Sequence, residues 1–205
     1  QIFSSIMGKP LDSPQFIPLY EKMVSYNLPL LIHPLRGYSK PDYIDEKESK
    51  YGIWSIFGWP YETTAAMTRL IFSGILEKYP TIKFVTHHCG GMVPYFEGRV
   101  KGAYDMLEMR YMGNPKQGLT RSPIDYYRMF YADTAINGNT PGLMCGYAFF
   151  GPEHILFGTD MPFDSQLGFR LVRETIEGIE QMDIPDSHKK MIFEDNARKL
   201  FRLPI

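Results

Sequence analysis

The chain has 205 residues, of which 44% are hydrophobic and 22% charged, so it can bury the core of one folded domain and is not a disordered protein. Its formal net charge is -1 and its Lys and Arg residues are scattered, so nothing points to nucleic acid or an anionic membrane as a partner. Two cysteines outside any CxxC pair argue against a disulfide framework or zinc knuckle and fit a reducing, cytoplasmic setting, and no apolar stretch is long enough to span a bilayer.

The chain opens on Gln1 rather than Met, which fits a processed start or a longer protein. Residues 2–6 make a poor strand. Ser13-Pro14 predicts a helix start, with Ser as N-cap and Pro in the first turn, followed by Phe16, Leu19, Tyr20 and Met23 at helical spacing. Residues 28–32 form a continuous apolar run, as expected of a strand buried on both faces, and end in His33-Pro34. Residues 35–61 read as an irregular excursion carrying Arg36, Tyr51, Trp54, Phe57 and Trp59, a length typical of a lid or binding loop. A helix follows over 62–78, then a strand over 82–86 that runs into His87-His88-Cys89-Gly90-Gly91. Residues 93–109 read as helix, 114–122 as a polar linker, and 129–135 as a strand with Asp133 near its end. A short helix over 141–149, a strand over 155–159 ending at Asp160, and helices over 166–182 and 186–201 complete the chain.

Strands alternating with helices predict βα units and a parallel sheet. His33, His88, Asp133 and Asp160 then fall at or just past the carboxyl ends of strands, the rim on which a parallel α/β barrel places its active site. Alone, His33 is better explained by a satisfied structural role, and Asp160 equally well by a salt bridge. A strand continuing through residues 87 and 88 would send the two imidazoles to opposite sides. His88, beside the glycines, is taken for the site and His87 for a position packed outside it. Imidazole nitrogens with a carboxylate are common ligands of zinc and related divalent ions, and a further histidine beside them can move protons.

Several segments together resemble the amidohydrolase-2 family of the amidohydrolase superfamily. They are Leu30-Leu31-Ile32-His33-Pro34, Lys50-Tyr51-Gly52-Ile53-Trp54, Gly58-Trp59-Pro60-Tyr61-Glu62-Thr63, Phe72 to Pro80, His88-Cys89-Gly90-Gly91, Phe130-Tyr131-Ala132-Asp133 and Leu156 to Phe163. The pattern is most similar to the decarboxylase branch, the 2-amino-3-carboxymuconate-6-semialdehyde decarboxylase group. The resemblance implies a (β/α)8 TIM barrel of metal-dependent hydrolase type, of which residues 1–205 are a single domain spanning about strands 4 to 8, a partial barrel without the amino-terminal strands. It makes His33 and Asp160 ligands of one divalent metal, zinc first and manganese second, and His88 the catalytic histidine, with Asp160 sharing in catalysis. Trp54 and Arg99 become substrate-binding candidates, Arg99 at a subunit interface; Arg36, right after His33-Pro34, is by its own chemistry either a carboxylate holder or equally a solvated loop charge.

Two parts of the family pattern have no match in the chain: the first-strand metal-ligand pair and a substrate-binding arginine. Arg110 falls out of register with a second interface arginine. The function expected is non-oxidative decarboxylation of an unsaturated or aromatic carboxylic acid, in a homodimer or homotetramer. Hydrolysis of an amide, lactone or C–C bond, or hydration of a double bond, needs the same site. From a different class, a barrel fragment acting only through association is the competing expectation.

Overall fold

The computed structural model describes residues 1–111 and 118–204, with the side chains of 107–111 excepted. In chain order the elements are β1 (Ile2–Phe3), β2 (Ser5–Ile6), β3 (Lys9–Pro10), α1 (Ile17–Tyr26), β4 (Leu30–His33), α2 (Ile53–Ile56), α3 (Gly58–Phe72), α4 (Ile75–Lys78), β5 (Phe84–Thr86), α5 (Glu97–Tyr111), α6 (Pro123–Tyr127), β6 (Tyr131–Asp133), α7 (Thr140–Phe150), β7 (Ile155–Leu156), α8 (Phe169–Glu180), α9 (Asp186–Lys190) and α10 (Asn196–Phe201). A π-helical turn over Met191–Asp195 joins the last two. Strands β1, β4, β5, β6 and β7 form one sheet in that order, every pair parallel, while β2 and β3 form a small hairpin.

The α/β class and the parallel sheet match the sequence expectation. Residues 2–6 depart from it. Ile2 pairs with Ile32 and Phe3 with His33, so a segment too short to show a pattern becomes a strand by pairing. Ser13 also makes no side-chain cap; a 3₁₀ turn over Pro14–Phe16 leads into α1 instead. The expected helix over 62–78 begins earlier and breaks at Ser73-Gly74, where Gly74 takes a left-handed φ of 78°. Most of the excursion over 35–61 is irregular, but α2 and the start of α3 lie within it. Arg110 and the first part of the expected linker, 114–117, lie outside the described side chains or residues.

The sheet separates two apolar layers. Leu30, Ile32, Phe84, Ala132 and Ile155 face the helices and pack in the main core with Tyr20, Met67, Leu70, Ile71, Tyr127, Leu143 and Ile179. The opposite face carries Leu31, Val85 and Tyr131, packed with Leu156 and with Ala197, Leu200 and Phe201 of α10. Asn196, buried, holds α10 to the sheet by donating to the carbonyls of Pro152 and Ile155, each at 2.7 Å. No helix among the described residues is long and apolar enough to cross a membrane.

Just past β5 the chain turns beneath α7, and the contact is made by the Cys89 sulfur lying against Gly146. A methyl group at residue 146 would overlap that sulfur. Two effects then oppose each other: alanine improves a helix interior by about 1 kcal/mol, and overpacking costs about 1–3 kcal/mol. Gly146→Ala should therefore destabilise the protein in urea unfolding, whereas the same change in a Cys89→Ala background should be neutral or stabilising. Equal effects in the two backgrounds would show that the sulfur does not set the spacing.

Candidate functional site

Pairing register builds the site. Leu31 is level with Val85, and Val85 with Tyr131. Side chains alternate along a strand, so two residues later His33, His87 and Asp133 emerge level on that same face. The ladder does continue that far, with the His87 N–H donating to the Ile32 carbonyl at 3.3 Å. His87 thus lines the cleft with His33, their ring centroids 5.0 Å apart, instead of packing outside it. Strand parity alone would have found this: His33 follows Leu31 by two, and His87 follows Val85 by two.

His88 reaches the cleft by another route. His88 and Cys89 have φ values of 55° and 53°, followed by Gly90 at 76° and Gly91 at 64°. This left-handed turn swings the His88 ring back to 5.6 Å from that of His33. Non-glycine residues in this region each cost about 1 kcal/mol or more, so the turn must be held by its surroundings. Cys89 N–H donates to Asp133 Oδ1 at 3.3 Å, Gly91 N–H to the His88 carbonyl at 2.9 Å, and Met92 N–H to Thr64 Oγ1 at 2.9 Å. Gly91 must be glycine twice over, since a Cβ there would also press on Thr63 and Thr64 of α3. Asp160, past the end of β7, is likewise left-handed, with φ 61°.

His33, His88 and Asp160 come together as expected, each offering a ligand atom within 4.8 Å of the others. The Nδ1 of His33 lies 2.8 Å from the Pro34 carbonyl and that of His88 2.9 Å from the Ala135 carbonyl. A carbonyl only accepts, so Nδ1 carries a proton in each ring, and in the neutral ring Nε2 presents its lone pair. The Nε2 of His88 is buried with no hydrogen-bond partner among the described residues, and the Nε2 of His33 lies 3.8 Å from Asp160 Oδ1. Backbone-anchored imidazoles beside a carboxylate make a donor set that fits a divalent cation.

The two cavities at this rim share Asp160 and Phe163. One, of about 500 Å³, is lined by Phe3, His33, His87, Asp133, Thr159 and Met161 among others; the second, of about 680 Å³, by Ile56, Trp59, His88, Ile136 and Asn139. Trp59 stacks at 13° to the His88 ring and stands edge-on to His33, and its Nε1–H donates to the Arg36 carbonyl at 3.1 Å. Trp54 sits behind it, 5.3 Å away and edge-on, and lines neither cavity. Of the two tryptophans, Trp59 therefore lines the cleft and Trp54 supports it.

Arg36 does not hold its expected place. Its guanidinium lies 3.4 Å from Asp42 and 3.6 Å from Glu62 and faces a different cavity, lined by Ser4, Lys40 and Arg69. Its charge faces those two carboxylates, and it lines neither cleft cavity. Arg99 is exposed on α5 and lines neither cleft cavity. Cys89, despite following His88, is no nucleophile: burial pushes its thiol up to about 12.

The neighbouring Asp160 carboxylate raises the His33 pKa above the ordinary imidazole value; burial opposes this and the Pro34 carbonyl adds to it. A raised pKa keeps the ring protonated to higher pH, and a metal must displace that proton. Affinity for Mn²⁺ should therefore still be rising above about pH 6.5, where an ordinary imidazole would already be neutral. Titration calorimetry across the neutral range tests this; a pH-independent affinity would remove His33 from the ligand set.

A family model described as Amidohydrolase matches residues 1–203. The chain is 32% identical over 149 residues to a 6-methylsalicylic acid decarboxylase of Penicillium expansum, covering 71% of this chain and 43% of that one. It is 26% identical over 204 residues to the 2-amino-3-carboxymuconate-6-semialdehyde decarboxylase of Dictyostelium discoideum, covering 99% of this chain and 53% of that one. A crystal structure of a dihydroxybenzoic acid decarboxylase from a Polaromonas species, with bound manganese and the inhibitor 2-nitroresorcinol, superposes with a TM-score of 0.79 at 26% identity, covering 95% of this chain and 56% of that one. The chain thus spans about half the length of the curated relatives it matches.

Proposed function

The chain belongs to the amidohydrolase family, and from that premise we propose that it carries most of the active site of a metal-dependent, non-oxidative decarboxylase acting on an aromatic or unsaturated carboxylic acid. In this reading the five parallel strands are about strands 4 to 8 of a (β/α)8 barrel. The observation that carries it is the convergence of His33, His88 and Asp160 within 4.8 Å, with both imidazoles held by backbone carbonyls so that Nε2 faces the others.

His33 and Asp160 would hold one divalent ion, manganese or zinc; the manganese in the Polaromonas structure favours the first. Such an ion supplies Lewis acidity toward a carboxylate or neighbouring oxygen. His88 moves the proton that must reach carbon as carbon dioxide leaves, its ring kept in place by the Ala135 carbonyl and by stacking on Trp59. Trp59, Phe3 and Phe163 offer apolar walls suited to a planar ring. Arg99, on the exposed side of α5, would act only from an interface between subunits of a dimer or tetramer.

Hydratase and hydrolase readings use the same residues and are separated by product. Mn²⁺-loaded protein, offered a panel of hydroxybenzoic and unsaturated dicarboxylic acids, should release carbon dioxide from at least one. Water addition without carbon dioxide would replace the decarboxylase reading with the hydratase one. Chelation should abolish turnover and Mn²⁺ should restore it.

His88→Asn should lower kcat by about 10²-fold or more while the protein still binds metal, as expected for loss of a proton-transfer group. Asp160→Ala should lose both metal and activity. Full activity in the first variant, or full metal content in the second, would remove that residue from its role.

A further inference from the structure

Among the described residues, Asp133 is the carboxylate at the rim that the proposed chemistry leaves without a task, and it is 5% exposed. Placing a charge there is costly unless every lone pair is used. Its Oδ2 accepts from His87 Nδ1 at 2.8 Å, and its Oδ1 accepts the N–H of Ala135 at 3.0 Å and of Cys89 at 3.3 Å. Gly158 closes over it, where any Cβ would come within 3.0 Å of the Asp133 Cβ. The carboxylate is thus fixed by three donors from two strand ends and walled in by a third.

Each of those donors leads to a cleft imidazole. The Ala135 residue that gives its N–H to Asp133 offers its carbonyl to His88 Nδ1 at 2.9 Å. The Cys89 N–H belongs to the left-handed turn that carries the His88 ring into the cleft. The third donor is the His87 ring itself, whose Nε2 is buried and has no partner among the described residues. One carboxylate therefore sets the tautomer of His87 directly, and holds both the turn and the carbonyl that set the orientation of His88.

We propose that Asp133 is the positioning residue of this site, presenting His88, and with it His87, to the cleft with Nδ1 protonated and Nε2 bare. The inference rests on the proton-moving role of His88 proposed above. It adds that this role depends on a carboxylate whose two oxygens are already committed to His87, Cys89 and Ala135. Groups of this kind, acting behind a metal or catalytic histidine, change affinity or activity by about 10–100-fold when altered.

Nitrogen NMR of ¹⁵N-histidine-labelled, Zn²⁺-loaded protein tests the unaltered chain first. Both His87 and His88 should show a protonated Nδ1 and an unprotonated Nε2; the opposite tautomer in either ring overturns the proposal. Asp133→Asn then puts an amide where the carboxylate was. The ring signals of His87 and His88 should move while those of His33 stay. On the best acid of the panel kcat should fall about 10–100-fold, with KM and bound metal within about twofold. Unmoved ring signals with kcat within twofold overturn the proposal. So does a loss of activity that only tracks lost metal or lost fold. If no acid is turned over, the decarboxylase reading fails while the ring signals still decide the part played by Asp133.

Discussion

Parallel pairing in register is the constraint on which this site depends. Because β1, β4, β5, β6 and β7 run the same way, all their carboxyl ends lie on one side, and the pairing of Leu31, Val85 and Tyr131 makes the next outward-facing residues level. Three polar side chains from stretches about fifty residues apart in sequence meet there without any long-range contact having been specified separately. A slip of one residue in β5 would send His87 to the helix side and bring Thr86 or His88 into the row, so the buried faces that fix the register also fix the chemistry.

The register explains His33, His87 and Asp133 but not His88 or Asp160. Those two reach the rim because the chain leaves the strand in a left-handed conformation, which costs energy at each non-glycine position. At His88 the turn is held by hydrogen bonds to Asp133 and Thr64 and by the fit of Cys89 against Gly146. Strain of this sort persists only where neighbours over-determine it. Here the neighbours are β6, α3 and α7, so the ring position is the joint product of three elements.

The same distinction separates what was legible in the sequence from what was not. The strand-end positions of His33, His88 and Asp160 could be read because apolar runs followed by polar residues are a local pattern. The short β1 could not be read, since two residues carry no period and its strand character comes from β4. His87 is legible by parity with Leu31 and Val85, whereas His88 is placed by a left-handed turn that strand parity does not foresee. The fate of Arg36 was not local at all. Its partners Asp42 and Glu62 lie six and twenty-six residues away, and only folding of the intervening loop brings both carboxylates onto it. Trp59 stood in plain view among the aromatics of that loop, but nothing in its spacing distinguished it from Trp54.

The loss of Arg36 to internal pairing changes the electrostatics of the proposed reaction. Among the described residues, the two cleft cavities are lined by two aspartates and by no lysine or arginine side chain. Asp133 adds a carboxylate that is satisfied within the protein: burial works against its ionisation, but its pairing with His87, the nearby His88 and the Ala135 N–H together hold its pKa below the ordinary carboxylate value. Asp160 faces the cavity. A carboxylic acid approaching these residues alone would meet a like charge, and at close range in a partly desolvated cleft that repulsion is several times its value in water. Positive charge at His33 and Asp160 is therefore a condition for binding an acid, before any question of catalysing its reaction. A divalent ion satisfies that condition in a way that a protonated His33 does not, because it can neutralise Asp160 and still leave a net positive charge for the incoming carboxylate.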